Sequence, residues 1–131
     1  MTSNDQSQPM QPFPRLMGVE ILEAAKDKIR GRLMVRAELC TSGHILHGGA
    51  IMALADTLGA TGAFLNLPDG AGTTTIESKT NFIGAAREGT IVEAEAVPIH
   101  IGRRSSVWQT RIARTDGKLV AVVTQTQMVL S

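Results

Sequence analysis

"GHILHGGAIMALADTLGATGAF", residues 43–64, is the stretch on which the reading of the rest depends. From Gly48 to about Leu65 its pattern predicts one long helix, stopped by the Pro and Gly of "NLPDGAG". Ile51, Leu54, Ala55, Leu58 and Leu65 make an apolar stripe, while Ala50, Ala53, Thr57, Ala60 and Thr61 leave the opposite side barely polar. A helix apolar on nearly every side is covered on nearly every side. One side is expected against a sheet. The small residues on the other admit a second surface, and a symmetry-related copy of the same helix is the simplest candidate.

Working outward, the flanks read as strand. "GVEILEAAKDKIRGRLMVRAEL" (18–39) holds two β-leaning runs. In the second, Leu33, Val35, Ala37 and Leu39 alternate with Arg32, Met34, Arg36 and Glu38, the pattern of a strand with one buried face. After the helix, residues 73–83, 89–102, 104–115 and 118–130 are rich in Thr, Val and Ile, and "TDGK" (115–118) is a hairpin turn. Two strands, a long helix and four more strands predict an α+β design, an antiparallel β-sheet wrapped around one long central helix. Residues 1–15, polar and Pro-containing, are expected to form a flexible arm ahead of a single domain over 16–131.

Composition narrows the function classes. The 131 residues suit one core, 43% of them hydrophobic and only 3% aromatic. Thirteen Lys and Arg against twelve Asp and Glu give no general pull toward nucleic acid. Gly48, Gly49, Asp56, Gly59 and Gly62 interrupt the longest apolar run, so no membrane span is expected, and a cytoplasmic location is. The one cysteine, Cys40, suits a reducing compartment and reads as a small buried hydrophobe. His44 reads as a loop histidine. Three scattered histidines and one cysteine offer no ligand cluster, so no metal is expected.

Asp56 is the residue the helix does not need. It either sets packing by a hydrogen bond to Thr or backbone, or acts as general base or nucleophile in a confined pocket. "HGG" supplies the complement: glycines leave the first amides open, and the helix dipole favours developing negative charge there. Gly49 and Asp56 are seven residues apart and share a face, yet lie about 10 Å apart along the axis. One reacting atom cannot touch both on a single helix. If both act on one carbonyl, two antiparallel helices from two chains must supply them.

These residues resemble a known family. "HGGAIMALADTLGA" (47–60), "TTIESKTNFIGAAREG" (74–89) and "HIGRRSSVWQTRIARTDGKLVAVVTQT" (100–126) together resemble the hotdog-fold acyl-CoA thioesterases of the PaaI type, over roughly residues 16–130. The resemblance implies hydrolysis of an acyl-CoA thioester by a homodimer and further by a dimer of dimers, and the small apolar residues along the helix suggest a pocket for an aryl or medium-chain acyl group. Coenzyme A is then part of the substrate and no separate cofactor is required. It assigns Asp56 as the carboxylate that activates water or attacks the carbonyl, Gly48 and Gly49 as the oxyanion end, and His47 beside them. Thr74 falls where some relatives place a Ser or Thr near the water. Arg87, Gly102, Arg103, Arg104 and Ser105 fall where relatives hold the nucleotide and phosphates of coenzyme A, a role suited to guanidinium donors.

The pattern also departs from the family. Thr41 stands where many relatives carry Asn or Gln, and Ala60 where others have Ser or Thr. Thr41 keeps alive a non-catalytic module that binds acyl-CoA. A hotdog hydratase or dehydratase is disfavoured, because its acid belongs at the helix start and Asp56 lies deep in the helix.

Overall fold

The computed structural model describes residues 10–131. In chain order it contains α1 (Pro12–Met17), β1 (Glu20–Ala25), β2 (Lys28–Met34), a single 3-10 turn (Ala37–Leu39), α2 (Gly48–Leu65), β3 (Gly72–Phe82), β4 (Ile91–Ile101), β5 (Ser105–Arg114) and β6 (Leu119–Leu130). The strands form one sheet in the order β1-β2-β4-β5-β6-β3, antiparallel throughout. α2 packs across this sheet and contacts every strand. The expected strand–strand–helix–four-strand order is the one found.

Alternation sorts the two faces. Ile29, Leu33, Val92, Ala94, Ala96, Trp108, Ile112 and Val123 point to α2 and are buried with Ile51, Leu54, Ala55 and Leu58. The opposite face of β1, β2 and β4 carries exposed ion pairs, Lys28–Glu95, Arg30–Glu23 and Arg32–Glu20. α2 has the length and apolarity of a membrane span, with mean hydropathy 1.3 over 18 residues. Its packing on the sheet makes it the core helix of this fold instead.

Two sequence expectations change. The alternation of residues 32–39 does not continue as strand: β2 stops at Met34, and Ala37–Leu39 turn as 3-10. At the departure the Arg36 guanidinium donates to the carbonyls of Leu16 and Met17 at 2.7 and 3.0 Å, tying this turn to α1. The arm expected over 1–15 falls outside the described residues up to residue 9, but Pro12–Arg15 are helical. Two prolines fix φ at the start of α1, and Pro14 and Met17 are buried.

The remaining turn chemistry is as expected. In the β5–β6 hairpin Gly117 has φ +91°, and the Asp116 carboxylate accepts from the Lys118 amide at 3.1 Å. Hydrogen bonding to Arg114 holds the Asp116 carboxyl below its ordinary range.

Candidate active site

α2 begins on a capped end. His47 is the N-cap in an extended conformation, φ −66° and ψ 141°, and its Nδ1 accepts from the Gly49 amide at 2.8 Å. The Ala50 and Ile51 amides both donate to the His47 carbonyl, at 2.9 and 3.1 Å. Of the four amides a helix start leaves without intrahelical partners, only that of Gly48 finds no acceptor among the described residues. The opening is therefore narrower than "Gly-Gly" suggests. Because Nδ1 accepts, the ring proton sits on Nε2, which makes a second donor at the same end.

Beside this end lies a cavity of about 430 Å³ whose lining joins the apolar Phe13, Leu16, Met17, Leu39 and Ala50 to Arg36, Glu38, His47 and Gly49. Cys40 lines it too, half-buried, its Sγ 3.3 Å from the Arg36 carbonyl oxygen. Loss of solvent, then the Glu88 carboxylate, pushes the Cys40 thiol up. His44 is exposed, with positive φ, and its Nδ1 lies 3.0 Å from Glu88 Oε1.

Two turns along α2, Asp56 is half-buried and faces β3 and β6. Its Oδ1 accepts from the Thr75 hydroxyl at 2.5 Å and from Gln125 Nε2 at 3.1 Å. Thr75 accepts in turn from Gln127 Nε2 at 2.5 Å, and Gln127 Oε1 accepts from the Thr73 hydroxyl at 3.0 Å. Gln125 and Gln127 are buried completely or nearly so. Thr57 and Thr61 instead turn back onto the carbonyls of Ala53 and Thr57 within the helix.

The threonine that reaches the acid is thus Thr75, and not Thr74. Thr74 is exposed and pairs in register with Met128 on the outer face, whereas Thr75 pairs with the inward Gln127. Successive strand residues face opposite sides, so within one chain Thr74 is turned away from Asp56. Thr41 is occupied locally: its hydroxyl accepts from the Gly43 amide at 3.1 Å.

The expected coenzyme A residues fall into two groups. Arg87 is exposed next to the helix start, in a bridge with Ile45. Arg103 and Arg104 are exposed in the β4–β5 turn, which Gly102 closes by donating to the Ser105 carbonyl at 2.8 Å. That turn joins the far end of β6 and β3, where the Val129 amide donates to the Arg104 carbonyl. From Thr73 to Phe82, which lies against Gly48, β3 runs about 30 Å. A single chain does not bring Arg87 and Arg103–Arg104 together. Among the described residues no group of three His, Cys, Asp or Glu side chains is placed to hold a metal.

A long helix laid across a six-stranded antiparallel sheet, opening on His-Gly-Gly and carrying a tethered acid, defines a hotdog thioesterase. The sequence profile of the thioesterase superfamily matches residues 43–121, and the chain belongs to that family. A thioesterase from Haemophilus influenzae is 31% identical, with a TM-score of 0.84 over 90% of this chain and 82% of that one. The Escherichia coli PaaI protein from the phenylacetic acid degradation operon shares the fold, with a TM-score of 0.85 at 20% identity over 92% of this chain and 86% of that one. The 1,4-dihydroxy-2-naphthoyl-CoA hydrolase of Escherichia coli is 35% identical over 75 residues, 57% of this chain and 54% of that protein. The protein is a thioester hydrolase of this superfamily.

Proposed function

We propose that this enzyme hydrolyses acyl-CoA thioesters bearing an aryl or medium-chain acyl group, in the cytoplasm, as a homodimer that pairs further into a dimer of dimers. Asp56 either takes a proton from the attacking water or attacks the carbonyl itself. The oxyanion rests on the Gly48 amide of a second copy, with His47 Nε2–H beside it and Gly49 completing the turn. Thiolate is a good leaving group, so the reaction needs no cofactor.

One observation carries this reading: the open Gly48 amide and the half-buried Asp56 lie on one helix about 12 Å apart along its axis, a distance that a second, antiparallel helix closes. The β3 edge supports it. β3 is an eleven-residue edge strand with Ile76 and Phe82 each 56% exposed, and exposed apolar edges of that length are ordinarily paired. Antiparallel pairing of two β3 edges would lay two α2 helices side by side in opposite directions. It would also bring Arg87 of one copy toward Arg103, Arg104, Gly102 and Ser105 of the other, where the guanidinium groups suit coenzyme A phosphates. The apolar cavity beside His47 suits the acyl group. The CoA ester named for the Escherichia coli hydrolase is consistent with an aryl acyl group.

Thiol release from a panel of aryl- and alkyl-CoA esters tests the reading. Asp56→Asn is expected to lower turnover at least about 100-fold, the scale of a lost acid–base group, with coenzyme A binding retained. Equal turnover of the variant and the parent would remove Asp56 from the chemistry. Coenzyme A binding without turnover by the parent would favour the non-catalytic binding module, a reading to which the local engagement of Thr41 gives some weight.

A further inference from the structure

The buried polar chain behind Asp56 has a fixed direction. An ionised carboxylate only accepts, so the single Thr75 hydrogen goes to Asp56 Oδ1. Thr75 then offers Gln127 only a lone pair, which orients the Gln127 amide with Nε2 toward Thr75 and Oε1 toward the Thr73 hydroxyl. The Thr73 hydroxyl lies between two acceptors, Gln127 Oε1 at 3.0 Å and the Met128 carbonyl at 2.9 Å; from Gln127 onward the donors run toward one carboxylate oxygen, and Gln125 Nε2 adds a second donor to that same atom. Asp56 Oδ2 accepts from nothing among the described residues and is not one of the sealed polar atoms.

The fold sacrifices packing for this arrangement. Gln125 Oε1 is sealed from solvent with no partner, a cost that a leucine there would not incur. Gln125 also fits only because Gly59 has no side chain: a Cβ there would lie 2.3 Å from Gln125 Oε1. Two buried glutamines, an orphan acceptor and a mid-helix glycine all break the rules of an apolar core at one place. Such violations gather at functional sites.

We propose that Thr75, Gln125 and Gln127 are positioning residues that hold Asp56 by Oδ1 and leave Oδ2 as the single oxygen presented to the reacting atoms. The proposal rests on the hydrolytic reading of Asp56 above. By the general-base route, the water oxygen bonds to the carbonyl carbon and its proton goes to Oδ2. The C–S bond then breaks, and the thiolate sulfur takes that proton. By the nucleophilic route, Oδ2 bonds to the carbonyl carbon as the C–S bond breaks, and the thiolate is protonated from solvent. Water then cleaves the mixed anhydride, releasing the acid and regenerating the carboxylate. The same oxygen serves either way.

The test compares Thr75→Val, Thr75→Ser and Gln125→Leu with the parent, by kcat and KM for a hydrolysed CoA ester and by thermal midpoint. Thr75→Val and Gln125→Leu are each expected to lower kcat by about 10- to 100-fold, the scale of misplacing a reacting group. KM should stay within about twofold, because neither side chain contacts substrate. Thr75→Ser, which keeps the hydroxyl, should recover most of kcat. Gln125→Leu should lose no thermal stability, which separates positioning from structural support. Should Thr75→Val fail to fold, Gln125→Leu decides by the same kcat-against-KM split. Parent-like kcat in both variants, beside an inactive Asp56→Asn, overturns the positioning role and leaves the hydrolytic reading standing. Full activity of Asp56→Asn overturns both.

Discussion

At the scale of single residues, α2 is shaped by what it leaves out. Gly59 and Gly62 look like weak points, since glycine costs about 1 kcal/mol against alanine inside a helix. Each is instead the seat of a large inward side chain. A Cβ at Gly62 would sit 2.4 Å from the Trp108 indole, which is fully buried and rigid. Gly62→Ala should therefore destabilise despite its better helix propensity. Overpacking costs about 1–3 kcal/mol; with contacts this short the upper end applies, and after the gain of about 1 kcal/mol in helix propensity the net loss of about 2 kcal/mol lowers Tm by about 7 °C. A thermal melt showing a raised midpoint would mean that the indole has room to move. The same scale explains what could be read beforehand. Asp56 stood out because it is the lone acid in an apolar helix, and the hydrogen bond to Thr that its packing reading expects is made by Thr75. Thr75 itself was not legible, because "TTT" at 73–75 gives no register and a slip of one residue changes the face. Gln125 and Gln127 were missed because glutamine in an alternating strand reads as solvent-facing, and nothing in the sequence alone places β6 under Asp56.

At the scale of elements, the helix start is the part on which the chemistry depends. Its amides are taken by His47 except at Gly48, so that one donor can be removed by itself. Proline at the first helical position lacks the N–H yet keeps the helix, and the residue before it must be extended, which His47 already is. A Cβ at Gly48 would lie 3.1 Å from the outer edge of the Phe82 ring, which needs to yield by only a few tenths of an ångström. Gly48→Pro is thus expected to fold with a far-ultraviolet circular dichroism spectrum like the parent's. Its turnover should fall by about 100-fold or more, as for removal of an oxyanion donor. Parent-like turnover would move the oxyanion elsewhere. The bounds of α2 were legible because glycines and a proline bracket one apolar period. The end of β2 was not: residues 32–39 alternate without a break, and the turn bonds of Leu39 and Cys40 and the tie of Arg36 to Leu16 and Met17 are visible only in the fold. α1 was hidden for a related reason, since its helical run is six residues long and depends on burial of Pro14 and Met17.

At the scale of the whole molecule, one chain holds both halves of the chemistry but not in one place. The open Gly48 amide lies at one end of α2, and Asp56 is about 12 Å farther along it, tied to the sheet. On the two-chain reading, a dimer of Asp56→Asn with Gly48→Pro contains one site with neither lesion and one site with both. Random pairing of equal amounts makes half of the dimers mixed, so about a quarter of all sites should be intact. Co-refolding the two inactive variants is therefore expected to recover about 25% of parental turnover, whereas a site built within one chain would recover none. The proportion of variants supplies an internal control, because recovered activity must peak at equal mixing and vanish at either pure end. A flat, inactive series from well-folded, exchanging dimers would confine the reaction to a single chain, and the spacing along α2 would then have to be bridged by the substrate itself.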